Sequence, residues 1–332
     1  MHEAVTAVLA TSYDLRDVLL RPIAHGSRPV FRVDSASGRF VIKCYAAERE
    51  SLDALARSDA GSARAVACGL PTAPIVANRE GRRATDGGDV QYVLYRHIDG
   101  RHHGERSFTT RAAAHLGGVI GGLERAFAGL DHGDLRPDNH WPMDIHGGLA
   151  RLTALLREAE RSPHPTGCKS ASALRSRIEA LEGLAGEMRG LADLPLQWVH
   201  GDCNPENILF DADDNVTAVL DFDNLSRLPR GFDFMYALNQ SFRSPDACAR
   251  SALQAYLDEL RPPRTEIEGY PVMWLYCDMQ IIWNTTYVYM DPQTRQEREG
   301  SAATPAPPWW LANWREMTAF FLATYDAWAT GG

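Results

Sequence analysis

The chain has 332 residues, and its 34 basic and 43 acidic side chains give a formal net charge of −9 at pH 7. This length is enough for one large domain or two lobes with separate cores, and it excludes a small scaffold stapled by disulfides. A hydrophobic share of 45% and a charged share of 23% exclude a disordered, collagen-like or coiled-coil chain. The acidic balance excludes a nucleic-acid-binding protein, whose affinity depends on basic side chains at phosphates, and favours a cationic small-molecule partner.

The six cysteines are dispersed, with no C-x-x-C pair, and no apolar leader begins at Met1–Ala4. These features predict reduced thiols and a cytoplasmic location. The most apolar stretch, Tyr270–Met290, contains Asp278, Gln280 and Asn284, and a central Asp alone costs about 3 kcal/mol in a membrane span. The stretch therefore predicts a buried or pocket-lining helix, and no membrane partner is expected.

Between about Arg16 and Tyr95, short apolar runs alternate with Gly, Ser and Asp turns, which is typical of consecutive β-hairpins. A run with helical spacing from Ala46 to about Cys68 interrupts the strands and ends at a Gly-Leu-Pro sequence. The predicted strands are Val18–Leu20, Val30–Val33, Phe40–Tyr45, Ile75–Val76 and a pair around the turn Asp86–Asp89 that ends with Val90–Tyr95.

After Gly100 the composition changes to long segments rich in Ala, Leu, Arg and Glu, which predict helices. These segments are Thr110–Leu130, Gly148–Ala159 and Ala171–Leu191, and one hairpin is predicted near residues 207–221. The sequence therefore predicts an α+β fold with two lobes. The small, β-rich N-terminal lobe comprises residues 1–97, and the larger, mostly helical C-terminal lobe comprises residues 98–332.

The most informative segment is His200–Phe210, with the sequence H-G-D-C-N-P-E-N-I-L-F. Within it, Asp202 and Asn207 have the D-x-x-x-x-N spacing of a kinase catalytic loop, in which the Asp accepts the proton of the attacking hydroxyl and the Asn binds Mg²⁺. Asp221 ends the second strand of the predicted hairpin. Because a hairpin returns the chain to its starting point, we expect Asp221 beside Asn207, where two oxygen ligands converge on one Mg²⁺.

The run H-G-D-x-N-P-E-N, with D-F-D downstream at 221–223, resembles the phosphotransferase family that contains aminoglycoside phosphotransferases, choline kinases and bacterial homoserine kinases. The resemblance extends over most of the chain and implies a protein-kinase-like fold with two lobes. It implies that Asp202 is the catalytic base and that Asn207 and Asp221 bind the metal. It also implies that Lys43, one of only two lysines in the chain, holds the α- and β-phosphates.

The same resemblance implies further contacts with the nucleotide. Residues 24–30 resemble the loop that covers the nucleotide, in which the backbone N–H groups of Gly26, Ser27 and Arg28 can cradle phosphate. Residues 95–98 resemble the hinge whose main chain reads adenine, and they place Arg96 and Ile98 at the nucleotide.

Asp233 matches the acidic position that in relatives follows the metal motif and braces the catalytic loop. Asp223 departs from the pattern, because relatives among the protein kinases have Gly there, and Asn204 stands where relatives often have His. The residues assigned to support of the substrate or of the loop are Asn204, Glu206, Asp223, Asp233 and Asp278.

The carboxylate that pairs with Lys43 is ambiguous, because Glu48 and Glu50 both lie at the start of the helix that follows the lysine strand. Glu50 is the preferred partner.

Residues His132–Asn139 repeat the catalytic-loop pattern as H-G-D-L-R-P-D-N. No two-strand hairpin follows this first copy, so that no metal ligand would be returned to it. It also lies too close to the hinge to leave room for the helices that precede the loop in this fold. We therefore interpret the first copy as a loop after a helix and assign catalysis to the second copy.

These observations predict a kinase that uses ATP, or alternatively GTP, and Mg²⁺ to phosphorylate a hydroxyl of a small molecule. The acidic balance favours a cationic acceptor, such as an aminoglycoside or another amine-bearing antibiotic. The alternative acceptor is an amino alcohol such as homoserine or choline. Two other functions stay open: a nucleotide-binding pseudokinase, and a metal-dependent hydrolase built on His132, Asp134, His200 and Asp202. The expected assembly is a monomer or a homodimer.

Overall fold

The chain begins with a helix and an antiparallel sheet, and continues with helices and two small two-stranded sheets. The computed structural model describes residues 1–23, 28–104, 107–130, 133, 135–137, 145–161, 165–184, 194–242, 244–280 and 314–331. The elements of the N-terminal part are α1 (His2–Tyr13), β1 (Leu19–Ile23), β2 (Val30–Ser35), β3 (Gly38–Ala46), α2 (Arg49–Ala67), β4 (Ile75–Val76), β5 (Thr85–Asp86) and β6 (Val90–Arg96).

The six-stranded sheet has the order β1-β2-β3-β6-β4, with β5 also paired to β6, and all its pairs are antiparallel. Successive side chains of a strand point to opposite faces, and β3 follows this alternation. Ile42 and Cys44 are buried on the face covered by α1. Lys43 therefore lies on the opposite face together with Tyr45, which packs against Ala54 of α2.

The elements of the C-terminal part are α3 (Thr110–Ala128), α4 (Ile145–Arg161), α5 (Pro165–Leu184), β7 (Leu196–Val199), β8 (Ile208–Phe210), β9 (Val216–Val219), β10 (Ser226–Pro229), α6 (Phe232–Ser241), α7 (Ala247–Leu260), α8 (Arg264–Gln280) and α9 (Trp314–Ala329). Two 3-10 turns, Pro205–Asn207 and Phe222–Asn224, precede β8 and follow β9. The largest hydrophobic core lies among these helices and includes Phe127, Tyr256 and Trp274.

The tip of the β8–β9 hairpin is tied to the segment that precedes α3. Asp214, in the turn, accepts hydrogen bonds from Arg101 Nη2 at 2.6 Å and from the Thr109 hydroxyl at 2.6 Å. His103 Nε2 lies 3.1 Å from the same carboxylate, and its ring is buried against Phe210. These contacts fix the hairpin at the end farthest from its base.

The predicted strands and the helices α2, α3 and α4 are confirmed within a few residues at their ends. Helix α5 is confirmed but begins six residues earlier than predicted, and residues 185–191 of the predicted segment lie outside the described residues. Helix α1, with Val5 and Leu9 fully buried, is not predicted from the sequence. The apolar stretch from residue 270 is confirmed as helical and buried over Tyr270–Leu275, in α8, and residues 281–313 lie outside the described residues. In the described part of the chain, no helix is both long and apolar enough to cross a membrane. The lobe boundary at residues 97 and 98 stays a prediction.

Candidate active site

The β8–β9 hairpin brings Asn207 and Asp221 to its base. Asn204 begins the preceding 3-10 turn, and its side-chain oxygen accepts hydrogen bonds from the backbone N–H groups of Glu206 at 2.8 Å and Asn207 at 3.1 Å. Ile208 pairs with Val219 across the hairpin, and Leu220 N donates to Asn207 O at 2.8 Å. Leu220 therefore lies opposite Asn207 in the antiparallel register, and Asp221 is the next residue along the chain.

The Asp202 carboxylate accepts four hydrogen bonds from side chains. Oδ1 accepts from Asn204 Nδ2 at 2.8 Å and from the Tyr236 hydroxyl at 3.2 Å. Oδ2 accepts from Asn207 Nδ2 at 3.1 Å and from Asn224 Nδ2 at 3.2 Å. Burial raises the pKa of Asp202 above its usual value, although its hydrogen bond from Asn204 lowers it. The four donors fix the orientation of the carboxylate before any substrate binds.

Asp233 holds the backbone of the predicted catalytic loop at His200 and Gly201. It is fully buried in the first turn of α6, where Oδ2 accepts from His200 N at 2.6 Å and Oδ1 accepts from Gly201 N at 2.8 Å. Burial raises the pKa of Asp233 to about 7, while these two backbone donors lower it. Gly201 has φ +79°, and a Cβ there would lie 2.2 Å from Asn224 O, so that only glycine fits this position.

His200 uses both ring nitrogens within the protein. Nε2 lies 2.9 Å from Leu220 O, which can only accept, and Nδ1 accepts from Asp202 N at 3.2 Å. The neutral ring protonated on Nε2 satisfies both contacts, and burial lowers the pKa of His200. This arrangement argues against His200 as a metal ligand, which the hydrolase interpretation requires. The other two residues specific to that interpretation, His132 and Asp134, lie outside the described residues.

Lys43 lies between two carboxylates. Its Nζ is 2.7 Å from Asp221 Oδ1 and 2.9 Å from Asp223 Oδ2, and its side chain is only 11% exposed. Burial alone would lower the pKa of Lys43, but the two carboxylates outweigh burial and raise it. Burial would raise the pKa of Asp221, but Lys43 outweighs that effect and lowers it. Both groups are therefore charged at neutral pH.

Asp223 is held by residues from the N-terminal part of the chain. Oδ2 accepts from Arg28 Nη1 at 2.9 Å as well as from Lys43, and Oδ1 accepts from the Tyr45 hydroxyl at 2.9 Å. The backbone oxygen of Asp223 accepts from Arg57 Nε at 2.6 Å. This segment therefore joins the sheet and α2 to the base of the hairpin.

The structure does not bring Glu50 to Lys43, which corrects the predicted pairing. Glu50 lies exposed in the first turn of α2. In the described part of the chain, the carboxylates paired with Lys43 are Asp221 and Asp223. The choice between Glu48 and Glu50 rested on the closeness of both to the lysine strand in sequence, whereas the partners come from the hairpin about 180 residues later.

Three of the remaining predicted site residues, Glu206, Arg96 and Ile98, lie in the described part of the chain. Glu206 is exposed in the 3-10 turn before β8. Arg96 ends β6 with its guanidinium over the Phe40 ring, and Ile98 follows two residues later, half-buried. Gly26, Ser27 and the side chain of Asp278 lie outside the described residues, as do four residues of the first H-G-D copy: His132, Asp134, Asp138 and Asn139.

Four residues that contact Asp202 or Asp223 are not predicted from the sequence: Tyr45, Arg57, Asn224 and Tyr236. Tyr45 is two residues after Lys43 on β3, so the period of a strand places both on one face. Tyr236 is three residues after Asp233 on α6, so the two share a helix face. These spacings were available signals for Tyr45 and Tyr236. The contacts of Arg57 depend on how α2 packs, and no local spacing indicates them.

Comparisons with known proteins identify the family of the chain. Residues 19–270 match the family model described as the phosphotransferase enzyme family. The chain belongs to that family. The membership confirms the resemblance found in the sequence and the predicted enzyme class, a small-molecule phosphotransferase. A comparison with curated protein sequences gives no match.

Three solved structures are similar over nearly the whole chain. A spectinomycin phosphotransferase in complex with ADP and spectinomycin has a TM-score of 0.66 and 14% identity, with 98% of each chain covered. An amicoumacin kinase in complex with AMP-PNP and Ca²⁺ has a TM-score of 0.62 and 14% identity, covering 98% of this chain and 93% of its own. A microcompartment-associated aminopropanol kinase has a TM-score of 0.61 and 15% identity, covering 100% and 98%. These likenesses confirm the predicted two-lobed, kinase-like α+β fold.

Proposed function

We propose that this phosphotransferase moves the γ-phosphoryl group of ATP, with Mg²⁺, to a hydroxyl of a small amine-bearing molecule. The observation that carries the proposal is the convergence of Asp202, Asn207, Asp221 and Lys43 at the base of one hairpin. Phosphoryl transfer needs positioned charges rather than covalent chemistry from the protein. A base in contact with one oxygen ligand, and a cation in contact with the other, fit that requirement.

In this proposal Asp202 accepts the proton of the acceptor hydroxyl. Its fixed orientation suits a general base, because a base must lie within hydrogen-bond reach of the proton that it removes. The raised pKa of Asp202 also suits this role, because a stronger base takes the proton more readily near neutral pH. Asn204, Asn224 and Tyr236 serve as positioning residues for the carboxylate, and Asp233 positions the loop that carries it.

The donor atoms available at the hairpin base fit a magnesium ion. The side-chain nitrogen of Asn207 donates to Asp202 O and Oδ2, which leaves the side-chain oxygen to face another group. Asp221 is ionised, so the pair offers one amide oxygen and one carboxylate, the hard ligands that Mg²⁺ prefers. Among the described residues, no group of three or more His, Cys, Asp or Glu side chains could by itself hold a metal ion, and Mg²⁺ at kinase sites takes its other ligands from phosphates and water. When bound, the metal would supply positive charge to the phosphate oxygens.

The proposed nucleotide contacts come from the N-terminal part of the chain. Lys43 holds the α- and β-phosphates, the loop with Gly26, Ser27 and Arg28 covers them, and the main chain at Arg96 and Ile98 contacts adenine. The similar spectinomycin phosphotransferase holds ADP, and the similar amicoumacin kinase holds AMP-PNP. Both support an adenine nucleotide as the phosphoryl donor.

The acceptor is proposed to be an aminoglycoside or another amine-bearing antibiotic. The net charge of −9 favours a cationic molecule, and two of the similar structures carry the names of spectinomycin and amicoumacin. The second candidate is an amino alcohol, which the likeness to an aminopropanol kinase supports.

The test is an assay of ATP consumption across aminoglycosides, other antibiotics with amino groups, and amino alcohols, with Asp202→Asn as the matched blank. The Asn variant keeps the shape of the side chain and removes the base, so we expect kcat to fall by about 10²- to 10⁴-fold while ATP binds with nearly normal affinity. Turnover of Asp202→Asn near that of the wild type would refute the assignment. Expression in a sensitive host separates the candidates: an antibiotic kinase raises resistance, and an amino-alcohol kinase rescues an auxotroph instead.

A further inference from the structure

We propose that Asp223, on the metal-motif segment, is the residue that positions Lys43 toward the nucleotide, in place of a carboxylate from α2. This inference rests on the proposed function, because it concerns how the lysine of that site is held. It makes Asp223 a positioning residue for nucleotide binding.

The Asp223 carboxylate contacts three side chains from the N-terminal part of the chain. Oδ2 is 2.9 Å from Lys43 Nζ and 2.9 Å from Arg28 Nη1, and Oδ1 accepts from the Tyr45 hydroxyl at 2.9 Å. The side chain is only 2% exposed. A buried carboxylate with both oxygens fixed can hold a lysine in one place, because a change in its rotamer would break three contacts to charged or polar groups.

Helix α2 holds this carboxylate through the main chain. Arg57 Nε donates to Asp223 O at 2.6 Å, and Gly61 lies so close to the same turn that a Cβ would be 3.0 Å from Phe222 Cβ and 2.7 Å from Leu225 Cδ1. The helix therefore contributes an arginine and a close packing surface, while its Glu50 is exposed. Its function in the site is to fix the segment that carries Asp223.

Asp221 is the other carboxylate at Lys43, and it is less suited to the same role. Its side chain is 40% exposed, against 2% for Asp223, and in the proposed function its charge is required at the metal. A lysine held only by Asp221 would lose its partner to the metal. Asp223 has no role at the metal in the proposed function, so it can keep its contact with Lys43 when the metal is bound.

The experiment measures the equilibrium affinity of the full-length protein for AMP-PNP with Mg²⁺ by calorimetry, without acceptor, so that no turnover is needed. We expect Asp223→Asn to weaken binding about tenfold and Lys43→Met to weaken it by at least as much. The double variant should bind no more weakly than Lys43→Met alone, because a residue that acts through Lys43 has no effect once Lys43 is gone. The comparison variant Glu50→Gln should stay within twofold of the wild type.

Additive losses in the double variant, or a loss in Glu50→Gln equal to that in Asp223→Asn, would overturn the assignment. So would wild-type affinity in a folded Asp223→Asn protein. If Asp223→Asn does not fold, Tyr45→Phe replaces it, because this variant removes the hydroxyl that donates to Asp223 Oδ1. Tyr45→Phe alone should weaken AMP-PNP binding about threefold. Combined with Lys43→Met, it should cause no further loss of affinity. A wild-type protein that binds no AMP-PNP would overturn the proposed function itself, which distinguishes the two failures.

Discussion

A buried acid, Glu124, should make the stability of the protein depend on pH. This residue lies on α3 with no exposed surface, where its carboxyl oxygens accept from Gly231 N at 3.0 and 3.1 Å and Oε2 accepts from the Tyr256 hydroxyl at 2.5 Å. Burial, and after it the negative charge of Asp233, raise the pKa of Glu124 to about 8. The folded protein therefore keeps Glu124 protonated at pH 7.

The sign and size of the effect follow from linkage. An unfolded chain releases this proton near pH 4.5, the reference value for Glu, and the folded chain releases it near pH 8. The proton stabilises the folded state at low pH, and this stabilisation is lost progressively as the pH rises from the unfolded pKa of 4.5 to the folded pKa of about 8. Each pH unit between the two pKa values is worth about 1.4 kcal/mol. Between pH 6 and pH 8 the free energy of unfolding should fall by about 2 kcal/mol because of Glu124.

The measurement is urea denaturation of the wild type and Glu124→Gln at pH 6, 7 and 8. Gln is neutral at every pH, so its free energy of unfolding should rise relative to the wild type by about 2 kcal/mol across this range. Tyr256→Phe is the matched control, because it removes a hydrogen bond to the same group but keeps the acid and should keep the pH dependence. Parallel pH profiles of the wild type and Glu124→Gln would refute the reasoning.

Three further substitutions test the scaffold of the catalytic loop. Gly201→Ala should lower the free energy of unfolding in urea by about 2–4 kcal/mol, because the added Cβ meets Asn224 O at 2.2 Å with φ in the left-handed region. Tyr236→Phe removes one of the four donors to Asp202 and should lower kcat about tenfold, with the affinity for nucleotide unchanged in calorimetry. Asp233→Ala leaves two buried backbone N–H groups without an acceptor and should cost about 2–5 kcal/mol in urea denaturation, part of which Asp233→Asn recovers.

A different outcome would contradict each of these three predictions. Wild-type stability of Gly201→Ala would mean that the contact with Asn224 relaxes freely. An unchanged kcat for Tyr236→Phe would mean that the other three donors suffice to orient Asp202. Equal stability of Asp233→Ala and Asp233→Asn would mean that the side-chain oxygen of residue 233 does not hold the loop.

The parts of the site that were predictable from sequence are those that lie close together along the chain. Asp202, Asn207 and Asp221 belong to one loop and one hairpin, so the register of two short strands was enough to bring them together. Asp233 lies close to them along the chain, in the first turn of the helix that follows β10. Local hydrogen bonding and strand periodicity determine these positions, and both leave a pattern in the sequence.

The partner of Lys43 was not predictable in this way. Glu50 lies seven residues after Lys43, whereas the Lys43–Asp221 contact spans 178 residues. Which carboxylate reaches the lysine depends on how closely α2 packs on the 222–224 turn, and that distance depends on the missing side chain of Gly61. A single glycine in a helix carries no sign of the partner that packs against it.

The long separation between the cations and the carboxylates of the site has a consequence for synthesis of the protein. Lys43 and Tyr45 leave the ribosome 178 residues before Asp221 and Asp223, respectively, which at typical translation rates is an interval of about 10–35 s. During that time the sheet can form around its α1 face, but Lys43 and Arg28 have no carboxylate beside them. A chain that stops before residue 221 therefore carries Lys43 and Arg28 without these two carboxylates, and the proposed nucleotide site stays incomplete until about two-thirds of the chain has been made.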